Sequence, residues 1–207
     1  MGGKKKAQEI AEQRQRDLEV PCAHWWDYAQ RTAQALARGE APPTFAVHGV
    51  VLYPNEDALL MTTAWYSRLY AAGNGSYSVP GMFVAGNPAI MMGALAGTMI
   101  ARSRARSAAE AAAAVVWREG QHSSVIVTTN RLLCNVIGRG WLPFGYDTVT
   151  EIYPDLQNWS LTLGFGNEVG PLRLTGPSVA GIIPCVCRGV LGNERWTADP
   201  RIAPLLT

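Results

Sequence analysis

From Val125 to Leu174 apolar and polar residues alternate in short runs, and glycine, proline or asparagine interrupts each run within a few residues. Side chains on a strand alternate between two faces, so this period reads as half-buried antiparallel strands and not as helix. Val125-Ile126-Val127-Thr128-Thr129, the turn Asn130-Arg131 and Leu132-Leu133-Cys134-Asn135-Val136 form a predicted hairpin. Trp141-Leu142-Pro143-Phe144 is a short strand that its proline assigns to a sheet edge. Thr148 to Tyr153 is expected as a strand ended by Pro154-Asp155. Trp159-Ser160-Leu161-Thr162-Leu163 alternates strictly, with Trp159, Leu161 and Leu163 expected on the inner face. The last strand spans Val169 to Leu174. Gly176-Pro177-Ser178 then opens a helix from Val179 to Leu191, which Pro184 should kink or shorten.

The first half is organised differently. Residues 4–19 are rich in Lys, Gln, Glu and Arg, as in a solvated helix or frayed arm. Pro21 to Arg38 reads as a second helix, stopped by Gly39 and followed by the linker Ala41-Pro42-Pro43. Its tandem Trp25-Trp26 cannot easily bury both neighbours on one helix face, so one of them is expected at an interface with another domain or subunit. Residues 1–45 therefore read as an arm separate from the rest of the chain. Ala58 to Tyr70 is rich in strand formers and gives the first strand of the sheet.

Between Arg68 and Arg102 the chain carries no charged side chain. A spanning helix needs about 20 apolar residues in unbroken geometry, and Asn87-Pro88 breaks this window. A buried or subunit-facing helix fits better, or an element lying at a membrane surface. Met91, Met92, Leu95 and Met99 are its expected contact residues, and Arg102, Arg104 and Arg106 supply a basic flank that an anionic surface would attract. Ser107 to Glu119 is alanine-rich and reads as helix closed by Gly120, so the helical insertion is placed at about 76–120.

Hydrophobic residues make up 48% of the 207 and charged residues 16%, which excludes a disordered chain. A formal net charge of +2 gives no field that would draw the chain to nucleic acid. Cys22, Cys134, Cys185 and Cys187 are too few and too unevenly spaced for a disulfide framework, and read as buried thiols in a reducing, cytoplasmic setting. Met1-Gly2-Gly3-Lys4-Lys5-Lys6 has no apolar stretch behind it and does not read as a secretory signal, and Lys6 stands where a myristoylation signal wants Ser or Thr. Arginine outnumbers lysine 15 to 3, a bias of GC-rich genomes that points to a bacterium or one of its viruses.

The order from Val125 to Leu191 resembles the bacterial pleckstrin-homology-like, or GRAM-like, domains. Val125 to Leu133 is similar to the family's opening hairpin, Trp141 to Val149 to its next strand pair, and Leu172-Arg173-Leu174 plus a helix to its close. Asn55-Glu56-Asp57-Ala58-Leu59-Leu60 looks like its first strand. The resemblance implies an α+β fold: an antiparallel sheet sandwich or open barrel capped by a C-terminal helix. To it are added the N-terminal arm, the helical insertion after the first strand and an irregular tail over 193–207, with the domain itself at 46–192. It also implies a binding module without catalysis. Members that grip phosphoinositides use a basic cluster on the first hairpin. Here the matching region offers Arg68 and Arg131, and four Arg face four Asp or Glu between Gly120 and Val190, so no such cluster is expected.

His24, His48 and His122 stand apart from other ligand types, save His24 near Cys22 and Asp27, and a closed zinc site needs four ligands. No nucleophile elbow, Walker loop or paired-histidine metalloprotease motif is present. The expectation is no catalytic residue, no metal and no cofactor. The function expected is a scaffold or binding module that contacts a protein, itself or an anionic membrane surface, from a cytoplasmic or membrane-peripheral position. The alternative is a structural subunit of a larger homomeric or viral assembly that uses the arm and the insertion as interfaces.

Overall fold

The computed structural model of the chain describes residues 21–71, 115–166 and 169–207. Seven strands form one sheet: β1 (Ala58–Ala71), β2 (Val115–Thr128), β3 (Arg131–Val136), β4 (Gly140–Gly145), β5 (Glu151–Asp155), β6 (Ser160–Gly164) and β7 (Leu172–Thr175). Their order is β4-β3-β2-β1-β7-β6-β5, and every neighbouring pair is antiparallel. Among the described residues two α-helices accompany them, α1 over residues 21–37 and α2 (Val179–Leu191). The α+β class with an antiparallel sheet is as expected.

The two edges of this sheet, β4 and β5, follow one another in sequence. A flat sheet of seven strands is about 29 Å wide at the usual strand spacing. Residues 146–150 can reach only about 20 Å fully extended. The sheet therefore curls, and the ring centroids of Phe144 in β4 and Phe165 just past β6 lie 5.6 Å apart. Both edge strands carry a proline, Pro143 and Pro154, which removes a donor from each open rim. Pro154 thus lies inside β5 and does not end it, because an edge strand tolerates the missing N–H.

The curl encloses one core. Leu161 and Leu163 of β6 and Leu172 and Leu174 of β7 are fully buried, opposite Val125 and Val127 of β2. Trp159 does not continue the inner row of β6: it precedes the strand with φ of 51° and is half-buried. Helix α2 runs from Val179 to Leu191 with Pro184 inside it, and is buried from Val179 to Cys187. On the opposite face of the sheet a smaller cluster of Ala58, Ile126 and Leu133 is covered by Val47, Val50 and Leu52.

Two expectations are corrected. The helix expected to end at Gly120 gives way to strand from Val115, because the β-branched and aromatic Val115, Val116 and Trp117 pair with Ala71, Tyr70 and Leu69. In that ladder Glu119 and Gly120 lie opposite the single Ser67, a bulge with Glu119 at φ of 58°. Second, α1 is not separate: Ala29, Ala33 and Leu36 are buried in the same cluster as the sheet and α2. The segment after α2 is irregular apart from two short 3-10 turns, and it is packed on the core. Trp196, Ile202 and Leu205 are fully buried, and Gln34 Nε2 donates to the Thr207 carbonyl at 3.1 Å.

Candidate functional site

Glu56, Thr128 and Arg131 meet at the β2–β3 turn. Arg131 Nε and Nη2 donate to Glu56 Oε1 and Oε2 at 2.8 and 2.9 Å, a forked pair. The Glu56 side chain is 0% exposed and that of Arg131 8%. Thr128 Oγ1 donates to Glu56 Oε1 at 2.6 Å, and the Tyr53 amide donates to Oε2 at 2.7 Å. Burial alone would raise the Glu56 carboxyl, but the guanidinium, the hydroxyl and the amide outweigh it and hold the group below the ordinary carboxylate range. Arg131 also donates to the Val51 carbonyl at 3.0 Å and lies 3.7 Å from the Tyr53 ring centroid. One ion pair thereby ties the 51–56 segment to the hairpin. The charge of Arg131 is spent on this and is not available to a ligand.

Beside this lock, where the β4 edge meets the return to β5, lies a groove of about 1040 Å³. Its walls include Leu142, Phe144, Tyr146, Phe165, Val169 and Val190. Tyr146 is held there by its hydroxyl, which donates to the Thr128 carbonyl at 3.1 Å, and burial pushes its phenol well above the usual range. The cation in the groove is Arg68 of β1. Its Nε donates to the Gly170 carbonyl at 3.0 Å, its Nη2 reaches the same oxygen, and its guanidinium carbon stands 5.0 Å from the Phe144 ring centroid. Among the described residues no carboxylate pairs with it.

The other feature is the far end of the β1–β2 ribbon. The strands pair along their whole length to Ala71 opposite Val115. Residues 72–114 therefore leave and re-enter the domain at adjacent positions, beside the exposed Val115 and Val116. Arg118 and Arg173 line this ribbon, stacked over the Tyr70 and Trp117 rings at 5.9 and 4.0 Å.

Of the interface residues expected from sequence, the structure places two. Trp25 and Trp26 are half-buried on the chain's own core and straddle the α1 stripe. Trp25 makes an edge contact with Tyr28 over Gly181 of α2, whereas Trp26 meets Trp159 edge-on at 6.1 Å. The neighbours thus use two different supports, which resolves the difficulty of burying both. Met91, Met92, Leu95, Met99, Arg102, Arg104 and Arg106, and the helical insertion itself up to residue 114, lie outside the described residues. Sequence reasoning missed the groove. Its signal in sequence was Phe144 beside an edge proline, since Arg68 reaches it from β1 and Phe165 from just past β6.

Among the described residues no three His, Cys, Asp or Glu side chains converge in a way that could hold a metal. No helix among them is long and apolar enough to cross a membrane. Comparison with protein-family models, curated proteins and solved structures finds no match to this chain.

Proposed function

We propose that the chain is a non-enzymatic, pleckstrin-like binding or scaffold module that holds residues 72–114 out to a partner. The observation that carries this is the pairing of Ala71 with Val115. Among the described residues β1 to β7, α1 and α2 close a core on the near side of that pair, and on this reading the insertion serves contact. Its charge-free stretch and the following Arg102, Arg104 and Arg106 suit an apolar protein surface or an anionic membrane surface. The pleckstrin-like assignment is supported by the motif residues Glu56, Thr128 and Arg131 meeting in one buried cluster and by α2 packing on a curled antiparallel sheet. The position in the cell that suits this function is cytoplasmic and membrane-peripheral, or within an assembly.

Flotation with phosphatidylglycerol vesicles and size-exclusion chromatography of the full chain test this together. The full chain should float or self-associate. Leu95→Asp should abolish that association and leave the melting temperature in place. If association is to lipid, replacing Arg102, Arg104 and Arg106 by Gln should weaken it by about 1 kcal/mol per charge and remove its salt dependence. A large ordered oligomer indifferent to lipid would favour the structural-subunit alternative. A full chain that is monomeric and never floats contradicts the proposal.

A further inference from the structure

We infer that the groove lined by Arg68, Phe144, Phe165 and Val190 binds a free, single-chain amphipathic carboxylate, with its headgroup at Arg68 and its chain along the apolar side chains. This goes beyond the contact role proposed for residues 72–114 and uses a different part of the molecule. At about 1040 Å³ the groove has the size of a small-molecule site. Its walls are mostly apolar and aromatic, and one guanidinium stands in it without a carboxylate partner among the described residues. Arg68 is also pre-positioned. The Gly170 carbonyl and the face of Phe144 fix the guanidinium plane, so little side-chain entropy remains to be lost when an anion docks.

A second polar group lies behind it. Tyr66 is 0% exposed, and its hydroxyl lies beside the Arg68 guanidinium, without a hydrogen bond of good geometry among the described residues. This hydroxyl gives the guanidinium a neutral polar neighbour behind the groove and does not itself line it. Thr129, Asn130 and Thr148 at the rim add neutral polar groups, while Asp147 puts a carboxylate there. That rim charge disfavours a polyanion and leaves a single headgroup at Arg68 as the ligand that fits.

The test is calorimetric titration of the full chain with monomeric dodecanoate and, in parallel, with dodecyltrimethylammonium. Dodecanoate should bind saturably at one site, and the cation should not compete for it. Arg68→Gln should weaken dodecanoate by about tenfold or more, and Arg68→Lys by less, as expected for a charge-assisted hydrogen bond. Because Arg68 also anchors Gly170, a second variant guards against a folding artefact. Val169→Trp, at an exposed rim position, should block the groove with the melting temperature unchanged. Equal binding of the two detergents, no saturable binding, or full affinity in Val169→Trp would overturn the inference. So would displacement of the protein from phosphatidylglycerol vesicles by dodecanoate, since the anion at Arg68 would then be a membrane headgroup.

Discussion

Glu56 shows how one residue can decide a local structure. A carboxylate with no exposed side-chain surface would be untenable alone, and it persists because Arg131, Thr128 and the Tyr53 amide all donate to it. Glu56→Gln leaves the guanidinium buried with a neutral partner and should cost about 3–5 kcal/mol in a denaturant titration at pH 7. The pH dependence has a definite sign. The folded carboxyl titrates below its unfolded value, so the pair's contribution is full above about pH 4.3 and falls as pH drops through the lower folded value. The stability gap between wild type and Glu56→Gln should therefore close in acid, and a gap constant from pH 7 to pH 3 would show that the charge plays no part. The sequence held both residues of this pair in recognisable motifs. It did not show that they meet, because 75 positions separate them and only the pairing of β1 with β2 brings them together.

At the scale of elements, legibility followed period. The strands with strict alternation were readable because a single face decides each of them, and α2 because its residues from Val179 to Cys187 are apolar or small all round and buried. Reading failed where two signals met. The alanine run before Val115 argues helix, yet the ladder to β1 claims Val115, Val116 and Trp117. It failed again for α1, whose Gly39 stop and Ala41-Pro42-Pro43 linker suggested independence while Ala29, Ala33 and Leu36 formed a narrow buried stripe. The crossing of α1 over α2 depends on Gly181, where an added Cβ would stand 2.9 Å from atoms of both Trp25 and Tyr28. Two effects compete in Gly181→Ala. Helix propensity favours alanine by about 1 kcal/mol, whereas overpacking costs about 1–3 kcal/mol. The rings are large and anchored, so the variant should be less stable by thermal melting. Placed in a Trp25→Ala, Tyr28→Ala background, the same change should become stabilising. A stabilising Gly181→Ala in the wild-type background would mean that α1 does not rest on α2 in this way.

At the scale of the whole molecule, a curled sheet stapled by α1, α2 and the C-terminal turns surrounds one core, and the β1–β2 ribbon leads out of it. The groove is a product of that curl, formed where β4 meets the return to β5, so no local stretch of sequence could announce it. The insertion was visible in sequence as a charge-free window, and the paired strands say where it joins. The central claim is that folding and contact are divided between the two. Replacing residues 72–114 by Asn-Gly, the two-residue turn that suits a paired ribbon, tests it most directly. Thermal melting and vesicle flotation are then measured on the shortened and full chains side by side. The prediction is a melting temperature at or above that of the full chain, with association lost. A shortened chain that cannot fold, or one that still associates as the full chain does, would contradict it.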